Sequence, residues 1–556
     1  MDTWLHSREE LLSEIKQEKR WDMLVIGGGI TGAGIAREAA RQGKRVVLIE
    51  QKDFAWGTSS RSSKMVHGGL RYLASGNLKL TSHSVKERER LMNEAPGLVD
   101  LMTYSWPHYD GGFPGPRVFN ALLSLYDKFA GRRYRKFMNR EQAIYDLPYA
   151  KTDGLIGSTR FADAVTDDSR LVMRVLREAA ADGACVINYC EAQELLKNEQ
   201  GNVQGVLAYD QETQENFAIN AKVVVSATGA WADKFRKQLG EKGQIRPLRG
   251  SHLVVPLWKL PIAQAITLKH PEDGRSMFVY PWEGVAVIGT TDLDNPEVDK
   301  TEPHITAEEV TYLLNAANNL FPSINLEQSD IISTFAGVRP IVSSGALNPS
   351  SEKRDHSIWD DSGLVTVSGG KLTTFRLIAL DVLKVAGNYI KDLDWRDYGQ
   401  PIFDQDAVPV VKLKSFQKLT SPIRRRLRGF YGRDLGKLAQ EADELGWEKV
   451  PGTTTYWSQL VYAVKSEQVV HLDDLLLRRT RIGLFLPCGG ERIKSRIQTL
   501  CQSLLNWTDE KWDYEWNRYQ ALWQQAYGLP KAQSAAVKNN NNNEISEASS
   551  ITVSAV

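Results

Sequence analysis

The chain has 556 residues, 42% of them apolar and 25% charged, which is the balance of an ordinary globular protein with room for several domains and excludes a disordered or fibrous chain. Its 69 Lys and Arg stand against 68 Asp and Glu, a formal net charge of +1, so no overall positive field marks it as a nucleic-acid binder. The four cysteines, Cys185, Cys190, Cys488 and Cys501, form no C-x-x-C pair and are too sparse for a disulfide framework, which points to a reducing compartment and to cysteines acting as buried small hydrophobes.

Residues 1–20 read as a short polar helix with Leu5, Leu11, Leu12 and Ile15 at helical spacing; without the apolar core of a signal peptide, export is not expected. The run Met23 to Ile26 predicts a buried strand, Ile30 to Gln42 a helix, and Arg45 to Glu50 a second strand, together a right-handed βαβ unit with parallel strands. Between residues 116 and 140, Val118, Leu122, Leu123, Leu125, Tyr126 and Phe129 make an apolar helical stretch followed by Arg132, Arg133, Arg135, Lys136 and Arg140, a pattern suited to an anionic membrane surface or to a core helix with a solvated basic end. Further strands are predicted at 185–188, 206–209, 223–227, 252–255, 285–288 and 364–367, so the class is mixed α/β. Beyond residue 400 the apolar positions take helical spacing around 413–445, 457–464, 472–476 and 493–505, which predicts a separate helical C-terminal domain; the run Arg424, Arg425, Arg426 and Arg428 reads as a solvated helix face. Residues 531–556 are polar and Asn-rich and are expected to be disordered. No stretch approaches the roughly 18–20 apolar residues of a spanning helix, so any membrane contact is expected to be peripheral or monotopic.

Gly27-Gly28-Gly29-Ile30-Thr31-Gly32 satisfies G-x-G-x-x-G between a predicted strand and a predicted helix, with Glu50 closing the next strand about twenty residues on. Gly27, Gly29 and Gly32 then provide the tight turn, the close approach to a pyrophosphate and the helix packing, while Glu50 accepts hydrogen bonds from ribose hydroxyls. The motif does not separate NAD from FAD. Val223 to Trp231 is a strand ending in Ala227-Thr228-Gly229, the turn with which flavoproteins return to the nucleotide. Val365 to Thr374 again runs strand, glycine turn, helix, and its helix N-terminus suits negative charge on a reduced flavin.

The strings Thr58-Ser59-Ser60-Arg61-Ser62-Ser63-Lys64, His67-Gly68-Gly69-Leu70-Arg71-Tyr72-Leu73, Gly250-Ser251-His252, Gly289-Thr290-Thr291-Asp292, Gly337-Val338-Arg339-Pro340 and Gly369-Gly370-Lys371-Leu372-Thr373-Thr374 follow in this order. Over residues 20–390, and more weakly through the helical C-terminal region, the chain resembles the FAD-dependent aerobic glycerol-3-phosphate dehydrogenases. The resemblance implies a Rossmann-like FAD-binding domain (21–75, 151–245 and 355–390), a mixed α/β substrate-binding or cap domain (76–150 and 246–354) and a helical C-terminal domain (395–530). It also implies oxidation of sn-glycerol 3-phosphate to dihydroxyacetone phosphate, hydride passing from C2 to flavin N5 and electrons to quinone, in a cytoplasmic protein held at the inner face of the cell membrane; a homodimer is compatible with it. A lipid-soluble acceptor favours the membrane reading of residues 116–140 over the core-helix one. The cofactor positions it implies are Gly27, Gly29, Gly32, Glu50, Thr58, Ser59, Ser63, His67, Gly68, Gly69, Leu70, Ala227, Gly229, Gly370, Lys371, Leu372 and Thr373. Non-covalent FAD is expected.

A phosphate dianion needs fixed cations, and the candidates are Arg71, Arg339, Arg354 and Lys371, with Tyr72 as a further hydrogen-bond donor. Each can equally serve as an ion-pair partner; Arg354 is a candidate chiefly through the resemblance. Removing the C2 hydroxyl proton calls for a base near neutrality, and of nine histidines only His67 and His252 lie in motif segments. Either is also placed to bind flavin, and Arg339 or Lys371 to stabilise a developing alkoxide. No zinc-spaced set, P-loop or G-x-S-x-G elbow occurs, and no metal is expected. Three alternatives stay open: an oxidase that returns electrons to oxygen and releases peroxide, an amine or amino-acid oxidase on a related fold, and a non-catalytic dinucleotide-binding sensor.

Overall fold

The computed structural model describes residues 2–74, 76–296, 302–343 and 355–530; Arg354 and the Asn-rich tail lie outside them. Trp21–Ile26 is buried along its whole length because it is the centre of a parallel sheet, pairing with Val46–Ile49 on one side and Glu215–Ser226 on the other. Cys185–Ile187 and Leu364–Gly369 extend the parallel order, and His356–Asp361 closes one edge antiparallel. Side-chain alternation divides the first strand between two layers. Met23 and Val25 join the core beneath the helices Ile30–Ala40, Asp168–Ala181 and Phe375–Ala386. Leu24 and Ile26 pack with Leu11, Leu12 and Ile15 of the N-terminal helix Arg8–Gln17, whose start is fixed by a reciprocal Ser7–Glu10 cap.

Among the described residues the second sheet has ten strands, including the long antiparallel partners Val99–Tyr109 and Leu155–Thr166 and the strand Ile245–Pro256, which pairs with Val285–Gly289 and Ser333–Val342. One face, with Leu253, Val255 and Ile288, carries the helix Ala307–Leu320. The other, with Val254, Val287 and Phe335, is covered by the C-terminal helices. The expected mixed α/β architecture with a helical C-terminal region is therefore present. The helices Ser421–Tyr431, Leu435–Leu445, Trp457–Ser466 and Lys494–Leu505 match the predicted spacing; Asp509–Ala526 was not foreseen individually. The C-terminal region does not close a core of its own. Leu427 and Leu438 join the nucleotide-sheet core, and Leu460, Leu476 and Trp512 join that of the second sheet.

Three local expectations are corrected. The helix Pro116–Ala130 turns its apolar stripe inward: Phe119, Leu123 and Tyr126 are buried, and Leu122, Leu125 and Phe129 pack against the same core, leaving Val118 exposed. Arg426 is no solvated charge, since its guanidinium grips Glu283 at 2.7 Å and lies over the Phe430 ring. Cys488 is exposed, whereas Cys185, Cys190 and Cys501 are buried; all four are free thiols. Among the described residues no helix is long and apolar enough to cross a membrane.

Candidate active site

A cavity of about 1080 Å³ runs along the C-terminal ends of the parallel strands, from Glu50 and Lys52 past Gly27, Gly29 and Ala227 to Gly369, Gly370, Lys371 and Leu372. Its walls are close-fitting backbone. Gly27 has φ +113°, and a Cβ there would stand 2.6 Å from the Ala227 carbonyl oxygen. A Cβ on Gly32 would overlap the Gly27 carbonyl, and one on Gly29 would press on Ser59 Oγ at 3.1 Å. The helix Ile30–Ala40 starts at Gly29 with no side-chain cap of its own residue; Ser59 Oγ instead accepts the Ile30 N–H at 3.0 Å. Glu50 accepts the N–H groups of Gly28 (2.7 Å) and Lys52 (2.9 Å), and burial raises its pKa. An elongated cradle of bare backbone, an acceptor carboxylate at one end and a glycine turn before a helix at the other fits a dinucleotide of the FAD type.

Thr58 and Ser59 line the cavity, as do Ala227 and Gly229, and the Thr58 hydroxyl donates to the Val338 carbonyl next to Arg339. Ser63, His67, Gly68, Gly69, Leu70 and Thr373 do not line it. They form a second layer at its far end. The His67 N–H donates to Thr373 Oγ1, whose hydroxyl returns to the His67 carbonyl, both at 3.1 Å. The Gly68 N–H donates to the buried Asp163, which also receives Arg88 and Tyr126 at 2.6 Å each. Gly69 has φ +80° and faces the Tyr72 ring; Lys371 Nζ sits 3.7 Å from that ring's centroid and donates to Ser84 Oγ at 3.1 Å. Leu70 begins the helix Leu70–Ala74, which carries Arg71; the Arg71 side chain is outside the described part of the structure.

His252 and Arg339 come from neighbouring strands of the second sheet. The His252 ring is buried, stacked on Phe335 with centroids 4.4 Å apart, and its Nε2 lies 2.8 Å from Ser63 Oγ. Burial, reinforced by the positive charges of Lys64 and Arg339, holds its pKa well below the ordinary imidazole value, so the ring is neutral at physiological pH and able to accept a proton. Arg339 donates to Asp292 (2.8 Å), Thr290 Oγ1 (3.0 Å) and the Thr291 carbonyl (3.3 Å). Glycine at 250 leaves room for that guanidinium, which a Cβ would overlap.

Sequence reasoning passed over several residues that hold this arrangement. Lys64 is fully buried with φ +58°, its ammonium donating to the Ser60 carbonyl (2.7 Å) and Asp168 (3.0 Å); burial and the charge of Arg481 push its pKa down to about 7, against the pull of Asp168. Glu309, also buried, gathers Ser251 Oγ, Thr291 Oγ1 and Arg249 beside the His252 and Arg339 strands. Lys64, Ser251 and Thr291 stood inside recognised strings, so their position was a usable signal. Asp163, Asp168 and Glu309 belong to no motif, and only their burial singles them out.

Residues 22–378 match the family described as FAD dependent oxidoreductase, and residues 400–512 match the C-terminal domain of alpha-glycerophosphate oxidase. An aerobic glycerol-3-phosphate dehydrogenase of Staphylococcus haemolyticus is 34% identical over 526 residues, covering 90% of this chain and 94% of that protein. One from Staphylococcus aureus is 33% identical, covering 85% and 88%. Among solved structures, the glycerol-3-phosphate dehydrogenase of Bacillus halodurans complexed with FAD superimposes with a TM-score of 0.74 at 28% identity, over 95% of this chain and 98% of that one. With the dinucleotide cradle and this similarity over nearly the whole length, the cofactor is FAD, and the chain belongs to the aerobic glycerol-3-phosphate dehydrogenase family of FAD-dependent oxidoreductases.

Proposed function

We propose that this enzyme oxidises sn-glycerol 3-phosphate to dihydroxyacetone phosphate and passes the electrons to quinone, working at the inner, cytoplasmic face of the cell membrane. The observation that supports the reading is a buried imidazole, His252, stacked on Phe335 with its Nε2 2.8 Å from Ser63 Oγ and with Lys64 and Arg339 as the nearby cations. FAD, when bound, supplies the two-electron acceptor for the C2 hydrogen. The chain's residues do the rest. His252 receives a proton at Nε2 from the Ser63 hydroxyl as Ser63 Oγ takes the C2 hydroxyl proton in its place. Arg339 and Lys371 offset the phosphate dianion, joined by Arg71 and Arg354 and by the Tyr72 hydroxyl. His67 acts through its backbone, tying the glycine loop to Thr373.

The membrane contact is assigned to the exposed side of the 113–140 region rather than to its helix's apolar stripe. Phe113, Val118 and Phe137 are exposed there beside Arg117, Arg132, Arg133, Lys136 and Arg140. His108 connects them, with Nδ1 3.3 Å from the Pro114 carbonyl and its ring 6.4 Å from Phe137. Anaerobic titration of the holoenzyme with glycerol 3-phosphate tests the reaction. Bleaching of the flavin, with colour restored by a quinone faster than by air, is expected; no bleaching rejects the substrate, and rapid recovery in air with peroxide release assigns the oxidase instead.

A further inference from the structure

One short segment of the C-terminal helical region carries three buried arginines toward the nucleotide-binding part. Asp474–Arg479 is a wide, π-helical turn, and Arg481 follows it with φ +62°, a left-handed backbone that an Arg rarely adopts. Arg478, Arg479 and Arg481 are all buried and all point into the nucleotide-binding part. Arg478 and Arg479 converge on the buried carboxylate of Asp53, just beyond Glu50. Arg481 goes to a different place. Its Nη2 donates to the Ser60 carbonyl and to Asp168 Oδ1, both at 2.7 Å, and its Nη1 is anchored to the Leu477 carbonyl at 2.8 Å.

The 58–64 segment it grips touches both the nucleotide helix and the strands of the second sheet. Thr58 bonds Val338 beside Arg339, Ser59 caps the nucleotide helix, Ser62 donates through both N–H (3.0 Å) and Oγ (2.7 Å) to Asp168, and Ser63 meets His252. Lys64 ties the segment to itself and to Asp168. Asp168 is therefore shared between the loop and Arg481, whose Nη2 meets both the loop's own carbonyl and the carboxylate that holds its N–H while Nη1 keeps the Leu477 anchor. Removing one member of a buried network of this kind leaves its partners unpaired and loosens the rest.

We propose that Arg481 is a positioning residue for the oxidation: acting from the C-terminal region through Ser60 and Asp168, it sets the 58–64 loop and with it the Ser63–His252 contact. The helical region then completes the active site rather than being an appended module. The inference rests on the proposed function for its kinetic test and on the loop geometry for its physical one.

The experiment compares holoenzymes of the parent, Arg481→Ala, Arg481→Lys and Ser62→Ala, with Arg496→Ala as a control in the exposed Arg496–Glu448 pair of the same region. Two quantities are read: the anaerobic rate of flavin bleaching by glycerol 3-phosphate, and hydrogen exchange at the Ser62 and Lys64 amides. Arg481→Ala is expected to slow bleaching at saturating substrate by about tenfold or more while the half-saturating concentration moves less than about threefold, because the phosphate cations are untouched. Exchange at Ser62 and Lys64 is expected to rise. Arg481→Lys should fall between, since a single ammonium has no second nitrogen to keep the Leu477 anchor while it meets Ser60 and Asp168. Ser62→Ala, which frees the loop from the other side, should reproduce the kinetic signature if Arg481→Ala does not fold, and Arg496→Ala should match the parent. Full flavin content with bleaching within about twofold of the parent and unchanged exchange in the Arg481 variants overturns the proposal. A parent that glycerol 3-phosphate does not bleach counts against the proposed function alone, and the exchange comparison then decides the role of Arg481.

Discussion

Ser63 Oγ and His252 Nε2 lie 2.8 Å apart, joining a loop of the nucleotide-binding part to a strand of the second sheet. The ring beyond that contact has its pKa held well below the usual imidazole value by burial and by Lys64 and Arg339. As the base, it stays unprotonated down to acid pH, so the acid limb of kcat/KM is expected below the ordinary histidine value of about 6.5, and His252→Ala is expected to cost about 100-fold or more in rate. The same shift has a sign for stability. The native ring binds its proton less readily than the unfolded one, so its contribution is unchanged above about pH 6.5 and turns against the fold as pH falls below it. A pH–rate profile centred on an unshifted imidazole, or full activity of His252→Ala, would remove His252 from the base's role.

Arg339 is held by Asp292 and Thr290 in a pocket that glycine at 250 keeps open. Arg339→Ala is expected to lower kcat/KM by roughly 1.5–3 kcal/mol, with incomplete rescue by Lys because the planar fork is lost. A loss within about twofold shows that the phosphate is bound elsewhere.

Gly32→Ala places a methyl group against the Gly27 carbonyl, and both positions belong to the turn proposed to receive the pyrophosphate. The variant is expected to purify with much of its FAD missing, read as a fall in the ratio of visible to ultraviolet absorbance. Gly43→Ala is the informative comparison: its φ is +70° but its Cβ meets nothing within 4 Å, so a modest loss of stability with normal flavin content is expected there.

Among the described residues the cavity lining contains no cysteine and no histidine, the two side chains suited to tether a flavin. Acid precipitation should therefore release the yellow chromophore into the supernatant; a yellow pellet would reveal a covalent link.

Membrane binding is expected to depend on Arg132, Arg133 and Lys136, which are exposed, more than on Arg135, which is held by Asp127 at 2.6 Å. Neutralising the three should weaken binding to anionic vesicles by about 1 kcal/mol per charge, and added salt should weaken the parent similarly, while turnover with a soluble dye acceptor survives. Undiminished co-sedimentation of the triple variant with vesicles would place the contact on another surface.

The amino-acid order was enough to locate the nucleotide cradle. Its strand, glycine turn and helix are local, and the requirement at Gly27 and Gly32 for absent side chains is written in residue type. The same is true of the parallel strands, whose unbroken apolar runs require cover on both faces, and of His252 and Arg339 as candidates, since each stands in a glycine-rich string. Folding settled matters that depend on separation in space. The stripe on Pro116–Ala130 is equally apolar whether it faces lipid or core, and only packing against the apolar face of the second sheet turned it inward. Asp163, Asp168, Glu309 and Arg481 look like ordinary charges along the chain; they act because long-range packing buries them against partners in other segments. Asp168 and Arg481, 313 residues apart, meet at 2.7 Å, and a low-dielectric contact of that kind exists only once both sheets and the helical region have closed around it.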